Sequence, residues 1–365
     1  MEQQSFQTMY QQEAGPAEVS LVPAVELILG EDVLTLERRL AQWVGARHCI
    51  AVSDAASGLA LALRAAGVLP GDLVLCAALG CALPVQGILL AGASPVFVDV
   101  NPNTYTLDPY CLEYALSKLR RMGEPVPSAL IATDLFGAPC NYPALEEICR
   151  SQGIPVIEDL SGAFGAEMNG RPTGSFGRFA VACFATPSPL EELGGGAIFC
   201  HDDLDAHRLR TLRRVGQQQI PGEPPIPRMG SVDAFLIGTR LENCAQQTEQ
   251  RRTVAGIYRT ALGSKLRIQQ LARGSQSAYS QLVVALPCSC DRSRVSSKLR
   301  ELNIPADAPF CGMQTNRSEW NRVMLINTLA LMGRLLSLPI HPYLSPRLTR
   351  HISDCLLQSM DSCRR

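Results

Sequence analysis

The sequence predicts an α/β protein: a mostly parallel sheet with helices on both faces. Short β-branched runs alternate with longer helical ones from about residue 48. That alternation is the pattern of βαβ units. A length of 365 residues, 46% apolar and 18% charged, is enough for a large domain and a smaller one, each with a core. HCIAVSD (48–54) reads as the first strand, followed by a helix through Leu59, Leu61, Leu63 and Ala66. LVLC (73–76) is a strand, PVQGILLAG (84–92) a helix and PVFVDV (95–100) a strand. SALIATD (128–134), a helix over PALEEICRSQ (143–152) and IPVIED (154–159) continue the alternation. RFAVACF (178–184) and GAIFC (196–200) are two buried strands beside a turn-rich loop. QQQIPGEPPIPRMG (217–230) is a long loop, because proline cannot donate to a ladder and punctuates helices. Helical periodicity from Phe235 to Leu262 then leads into a smaller α+β region.

Composition excludes several classes of function. A formal net charge of -1 argues against a phosphate backbone as partner, so no nucleic acid is expected. Arg208, Arg210, Arg213 and Arg214 read as one solvated helix face. The 14 cysteines form no CxxC pair and no histidine stands at ligand spacing from them, so no metal site is expected. Leu73 to Val98 carries no charge and is long enough to span a bilayer, but glycines and prolines break it into strand, helix and strand. With a polar start and no signal-peptide pattern, the chain reads as cytoplasmic with reduced thiols.

Two features bear on chemistry. Glu158 and Asp159 end the strand IPVIED, where ligands of open α/β sheets sit. At this level a capping or salt-bridging role is as good a reading as a site. The second feature is an absence. Of the 33 basic residues only Lys118, Lys265 and Lys298 are lysine, leaving a stretch of well over a hundred residues with none. Codon bias alone would explain the ratio, though not the position of the gap.

From Leu36 to the C-terminal region the chain resembles the DegT/StrS-type sugar aminotransferases, a branch of the fold type I pyridoxal-phosphate (PLP) enzymes. LERRLAQWVGARHCIAVSDAASGLALALRAAGVLPGDLVL is similar to the family's opening strand–helix–strand. GASPVFVDVNPNTYTLDP, DLFGAPCN, IPVIEDLSGAFGAEMNGRPTGSFG, GGGAIFC, LRRVG, QRRTVAGIY and LSLPIHPYLS follow in family order. The resemblance implies a seven-stranded, mostly parallel sheet and a smaller C-terminal α+β domain. It divides the chain into an N-terminal segment (1–35), a large domain (36–245) and a small one (246–365).

It also implies a cofactor site that can be checked position by position. Transamination needs a lysine amine for the Schiff base and a carboxylate against the pyridine nitrogen. Asp159 matches that carboxylate. Counting back from Ala197 across the Gly195-Gly196 pair, the lysine position is Pro187, and CFATPSPLEELGGG holds no lysine in any register. Ala55 and Ala56 stand where the family has Gly-Thr for the phosphate, and Ser57 is the nearest hydroxyl. Cys81 aligns with the ring-stacking aromatic, Gly162 with a glutamine and Phe164 with a histidine. Ile226 aligns with an asparagine reaching the partner subunit, while Arg228 after it is kept.

No catalytic residue is therefore expected. The losses favour a pseudoenzyme without bound cofactor: a homodimer, or a heterodimer with an active aminotransferase paralogue, serving a structural or regulatory role in polysaccharide or deoxysugar biosynthesis. The alternative is an enzyme on a sugar nucleotide with non-covalent PLP or another mechanism. In the family's dehydratase branch a histidine replaces the lysine, but this chain has Pro187 there and Ser188 beside it, with His201 and His207 beyond. A nucleotide-sugar ligand without catalysis is the third reading.

Overall fold

The computed structural model describes residues 33–185, 190, 194–215, 229–309 and 322–363. Helix α1 (Val33–Val44) buries Leu36, Leu40, Ala41 and Val44 along one stripe. It leads into β1 (His48–Val52), α2 (Ala55–Ala66), β2 (Leu73–Ala77), α3 (Leu83–Leu90) and β3 (Ser94–Val98). The charge-free stretch 73–98 is thus strand, helix and strand, and no described helix is long and apolar enough to cross a membrane.

One helix lies where the sequence reading left a gap. Helix α4 (Pro109–Arg121) is N-capped by Asp108, whose carboxylate accepts from Tyr110 N–H. Pro109 sits in its first turn and Leu112, Ala115 and Leu119 face inward. Then come β4 (Ala129–Thr133), α5 (Tyr142–Ser151), β5 (Val156–Asp159), the short β6 (Glu167–Met168) and β7 (Arg171–Pro172), β8 (Phe179–Cys183) and β9 (Gly196–Cys200).

The main sheet has seven strands in the order β1-β9-β8-β5-β4-β2-β3. β8, β5, β4, β2 and β3 run parallel, whereas β9 is antiparallel to both of its neighbours. Alternation along β2 shows how the sheet is covered. Val74 and Cys76 face a core with α2 and α3, while Leu73 and Leu75 face one with α4 and α5. Burying side chains of this size stabilises by about 1.5–3 kcal/mol each.

Helix α6 (Asp203–Val215) keeps Arg208 exposed but corrects the expectation of a solvated arginine at Arg213. Arg213 Nη1 pairs with the buried Glu37 carboxylate at 2.8 Å and donates to Ala51 O at 2.8 Å. Glu37 also accepts from Ala51 N–H at 2.8 Å. A guanidinium ties α1, β1 and α6 together, since a buried carboxylate needs a paired charge.

Helix α7 (Ser231–Leu262) runs unbroken through residues 245 and 246. Ala234, Ile237, Leu241 and Cys244 pack on the large core, and Val254, Ala255, Tyr258 and Leu262 on a second one. The second core contains the antiparallel sheet β10 (Arg267–Ile268), β12 (Leu282–Ala285) and β13 (Leu335–Leu338), with α8 (Arg292–Glu301) and α10 (Pro346–Asp361). β11 (Ser275–Gln276) joins β6 and β7. Asp99, one residue beyond β3, clamps the two parts together. It accepts from Asn327 and Thr328 N–H, both at 2.8 Å, at the start of α9 (Ile326–Met332).

Candidate functional site

Four adjacent parallel strands end side by side. The last residues of β4, β5 and β8 are Thr133, Asp159 and Cys183, and the chain leaving β2 carries Cys81. A cavity of about 220 Å³ lies over these ends. Thr133, Asp134, Ser161, Gly162, Cys81 and Cys183 line its sheet side. Leu83, Leu135, Phe136 and Ala185 supply apolar wall, and Ser280 and Gln281 close it from the segment before β12. The cavity lies outside the carboxyl ends of the strands, the usual ligand position in open α/β sheets.

The turn after β4 makes the closure possible. Phe136 adopts φ 62° and Gly137 φ 93°. A Cβ on Gly137 would lie 2.6 Å from Tyr279 N, so glycine lets the two segments touch. Ala278 N–H and Ser277 Oγ both donate to Gly137 O, at 2.9 and 2.8 Å. Phe136 and Tyr279 (φ 48°) both store backbone strain beside the cavity.

Asp159 is fully buried and is itself not part of the cavity wall. Its Oδ2 accepts from Thr133 Oγ1 at 3.0 Å. Its Oδ1 accepts from Ser161 N–H at 3.2 Å and Ser161 Oγ at 2.5 Å. Thr133 and Ser161, which bear these hydroxyls, line the cavity, whereas Asp159 does not. Burial raises its pKa, and the bonds from Ser161 and Thr133 oppose that rise.

Asp159 belongs to a set of three buried acids. Asp134 Oδ1 accepts from Cys140 N–H and Tyr142 O–H, both at 2.8 Å, whereas its Oδ2 meets no N–H or O–H donor. Glu158 accepts from Gly174 N–H at 2.6 Å and Phe176 N–H at 2.9 Å. Asp134 and Glu158 are neighbours, and both are raised, first by burial. Asp134 is pushed up to about 7. A proton held between them satisfies the otherwise orphaned oxygen.

The other expected positions separate into three groups. Cys81 lines the cavity, where burial and then the Asp159 charge push its thiol up to about 12. Ala55, Ala56 and Ser57 form the first turn of α2 and contribute nothing to the wall. Asp54 caps that turn: Ser57 N–H and Ser57 Oγ donate to its two oxygens, each at 2.8 Å. A carboxylate therefore already takes one of the N–H donors at the helix N-terminus, where an anionic ligand would bind. Phe164 is a core residue, stacked on Trp43 at 4.5 Å between centroids. Pro187, Ser188, Ile226 and Arg228 lie outside the described residues.

Every lysine and histidine of the chain is described, and none lines the cavity. Lys118 is on α4, Lys265 is exposed after α7, and Lys298 on α8 donates to Ser362. His201 and His207 are exposed at and after the end of β9. Sequence reasoning missed Asp54, Thr133, Asp134, Ser161 and the pair Ser280 and Gln281. Only Asp134, ending the strand next to Glu158 and Asp159, carried a readable signal.

The sheet order and the site above its carboxyl ends define a fold type I PLP-aminotransferase architecture. The chain belongs to the DegT/DnrJ/EryC1/StrS aminotransferase family, whose model matches residues 16–357. It is 30% identical over 333 residues to the UDP-2-acetamido-2-deoxy-3-oxo-D-glucuronate aminotransferase of Pseudomonas aeruginosa, covering 87% of this chain and 88% of that one. A crystal structure of a family aminotransferase from Brucella abortus superposes with a TM-score of 0.83 at 27% identity, covering 91% of each chain. The PLP form of Streptococcus pneumoniae Spr1654 shares the fold, with a TM-score of 0.82 at 18% identity over 93% of this chain and 96% of that one. The family is PLP-dependent, and its characterised relatives include nucleotide-sugar aminotransferases.

Proposed function

We propose that this chain is a non-transaminating member of the family: a pseudoenzyme that acts as a dimeric structural or regulatory subunit beside nucleotide-sugar metabolism. One observation carries the reading. None of the three lysines lines the cavity, so the chain offers no amine there for a Schiff base. The rest of the wall agrees with it. The described donors do not fit PLP, because two hydroxyls already donate to Asp159 and the α2 N-terminus carries the Asp54 carboxylate.

The alternative, chemistry on a sugar nucleotide with non-covalent PLP, has the retained Asp159 in its favour. It lacks an imidazole or amine at the cavity to move a proton. The relative's name gives the substrate class of that protein, and the shared family supports a role for this chain beside the same chemistry.

The purified chain, incubated with PLP and treated with borohydride, tests the reading. The expected outcome is no reducible protein-bound chromophore. A reducible Schiff base mapped to the chain overturns it. Co-purification from its own cell with a lysine-bearing homologue supports the heterodimer, and a clean homodimer supports the homomeric form. Fractionation of that cell checks the cytoplasmic placement.

A further inference from the structure

The cavity has a hydrogen-bonding polarity that its residue types do not reveal. A hydroxyl carries one proton and two lone pairs. Thr133 Oγ1 and Ser161 Oγ both spend their proton on Asp159, so what they turn to the cavity is lone pairs. Asp134, whose carboxyl shares its proton with Glu158, is fully buried and adds an acid behind this wall. The two hydroxyls therefore make the sheet side of the cavity an acceptor surface.

The charge balance points the same way. No lysine, arginine or histidine lines the cavity among the described residues, while three buried acids lie at or just behind its wall. At the α2 N-terminus the Asp54 carboxylate already takes the Ser57 N–H. A phosphate brought here would exchange its hydration for the Gln281 amide and the Ser280 hydroxyl, with no cation among the described lining residues to balance its charge, which is strongly unfavourable. An ammonium, a ring N–H or a hydroxyl would instead find acceptors waiting, with Leu83, Leu135 and Phe136 against its apolar body.

We propose that this cavity binds a small, phosphate-free organic ligand bearing amine or hydroxyl donors, and discriminates against the phosphorylated form of the same molecule. The proposal rests on the non-transaminating reading, because a phosphate-anchored cofactor needs the opposite polarity.

Calorimetric titration of the full chain with pyridoxamine and with pyridoxamine 5′-phosphate isolates the phosphate, the one group by which they differ. Pyridoxamine is expected to bind about tenfold or more tighter than its phosphate ester. Equal or tighter binding of the ester overturns the proposal, and so does absence of heat from pyridoxamine up to about 10 mM.

Gly162→Val maps the site by filling it. Its Cβ would sit 3.1 Å from Ser280 Oγ, the end of a side chain that can turn away. Pyridoxamine binding should be lost in this variant while circular dichroism shows a folded protein; retained binding overturns the placement. If Gly162→Val does not fold, Ala185→Leu, also on the cavity wall, serves the same purpose. Neither probe carries an aldehyde, so this titration is blind to the Schiff base that the borohydride test reads. The two ideas can therefore fail separately.

Discussion

Asp134→Asn should make the protein more stable at pH 8, although it removes a buried charge partner from a hydrogen-bond network. The acid faces Glu158 and Asp159 from β5, Tyr142 from α5 and Cys140 from the intervening turn, with no cation among the causes of its shift. Burial carries its pKa from 3.8 to about 7. The folded state thus holds this proton more tightly than the unfolded chain. Its stability contribution is largest below about pH 4, falls as pH rises towards 7, and is flat above. At about 1.4 kcal/mol per pH unit, the ionised form costs on the order of 4 kcal/mol relative to the neutral one. Asparagine stays neutral, still accepts from Cys140 and Tyr142, and offers an N–H to Glu158. Losing two charge-assisted bonds takes back part of the gain, leaving about 2 kcal/mol of net stabilisation at pH 8. Urea unfolding of both proteins at pH 5 and pH 8 measures it. The advantage of the variant should grow between those two pH values. A variant less stable than the parent at pH 8 would refute the reasoning, because the orphaned oxygen would then be an acceptor in use.

Three further outcomes test other parts of the description. Pro187→Lys alone should not produce a borohydride-reducible PLP adduct, since Thr133 and Ser161 still donate to Asp159 and Asp54 still caps α2; a reducible adduct in that variant would show that the lysine was the sole loss. At pH 8 Cys81 and Cys183, raised to about 12 and about 11, should react with a thiol reagent far more slowly than the exposed Cys288, as read by peptide mass mapping after timed quenching. Gly87→Ala should destabilise by about 1–3 kcal/mol in urea, because the new methyl would lie 2.6 Å from Leu59 Cβ and 3.2 Å from Ala56 O where α3 crosses α2.

The framework of the fold was readable because it depends on local pattern. β-branched runs placed the strands of the main sheet to within about two residues, and Asp159 was found at a strand end where it does lie. Helix α4 went unread although Asp108-Pro109 and the spacing of Leu112, Ala115 and Leu119 announce it. The solvated reading of Arg213 failed for a different reason: its partner Glu37 lies far back in the chain on α1. The site shows the same division. Residue identities carried the expectation that lysine is missing from the Schiff-base position and threonine from the phosphate turn. They did not disclose where the remaining polar groups send their protons.

That second kind of information changes what the losses mean. A lost lysine by itself leaves a cofactor pocket that has merely lost its covalent anchor. Here Ser161 supplies Asp159 with a donor from within the chain, and Asp54 supplies the α2 N-terminus with an anion. A carboxylate and a helix dipole that a ligand would have had to satisfy are both satisfied without one. The buried acid therefore needs no cofactor to remain tolerable inside the fold, and under the proposed non-transaminating reading Asp159 can persist without one. Retention of that aspartate is, on this geometry, accounted for by the electrostatics of folding as well as by activity.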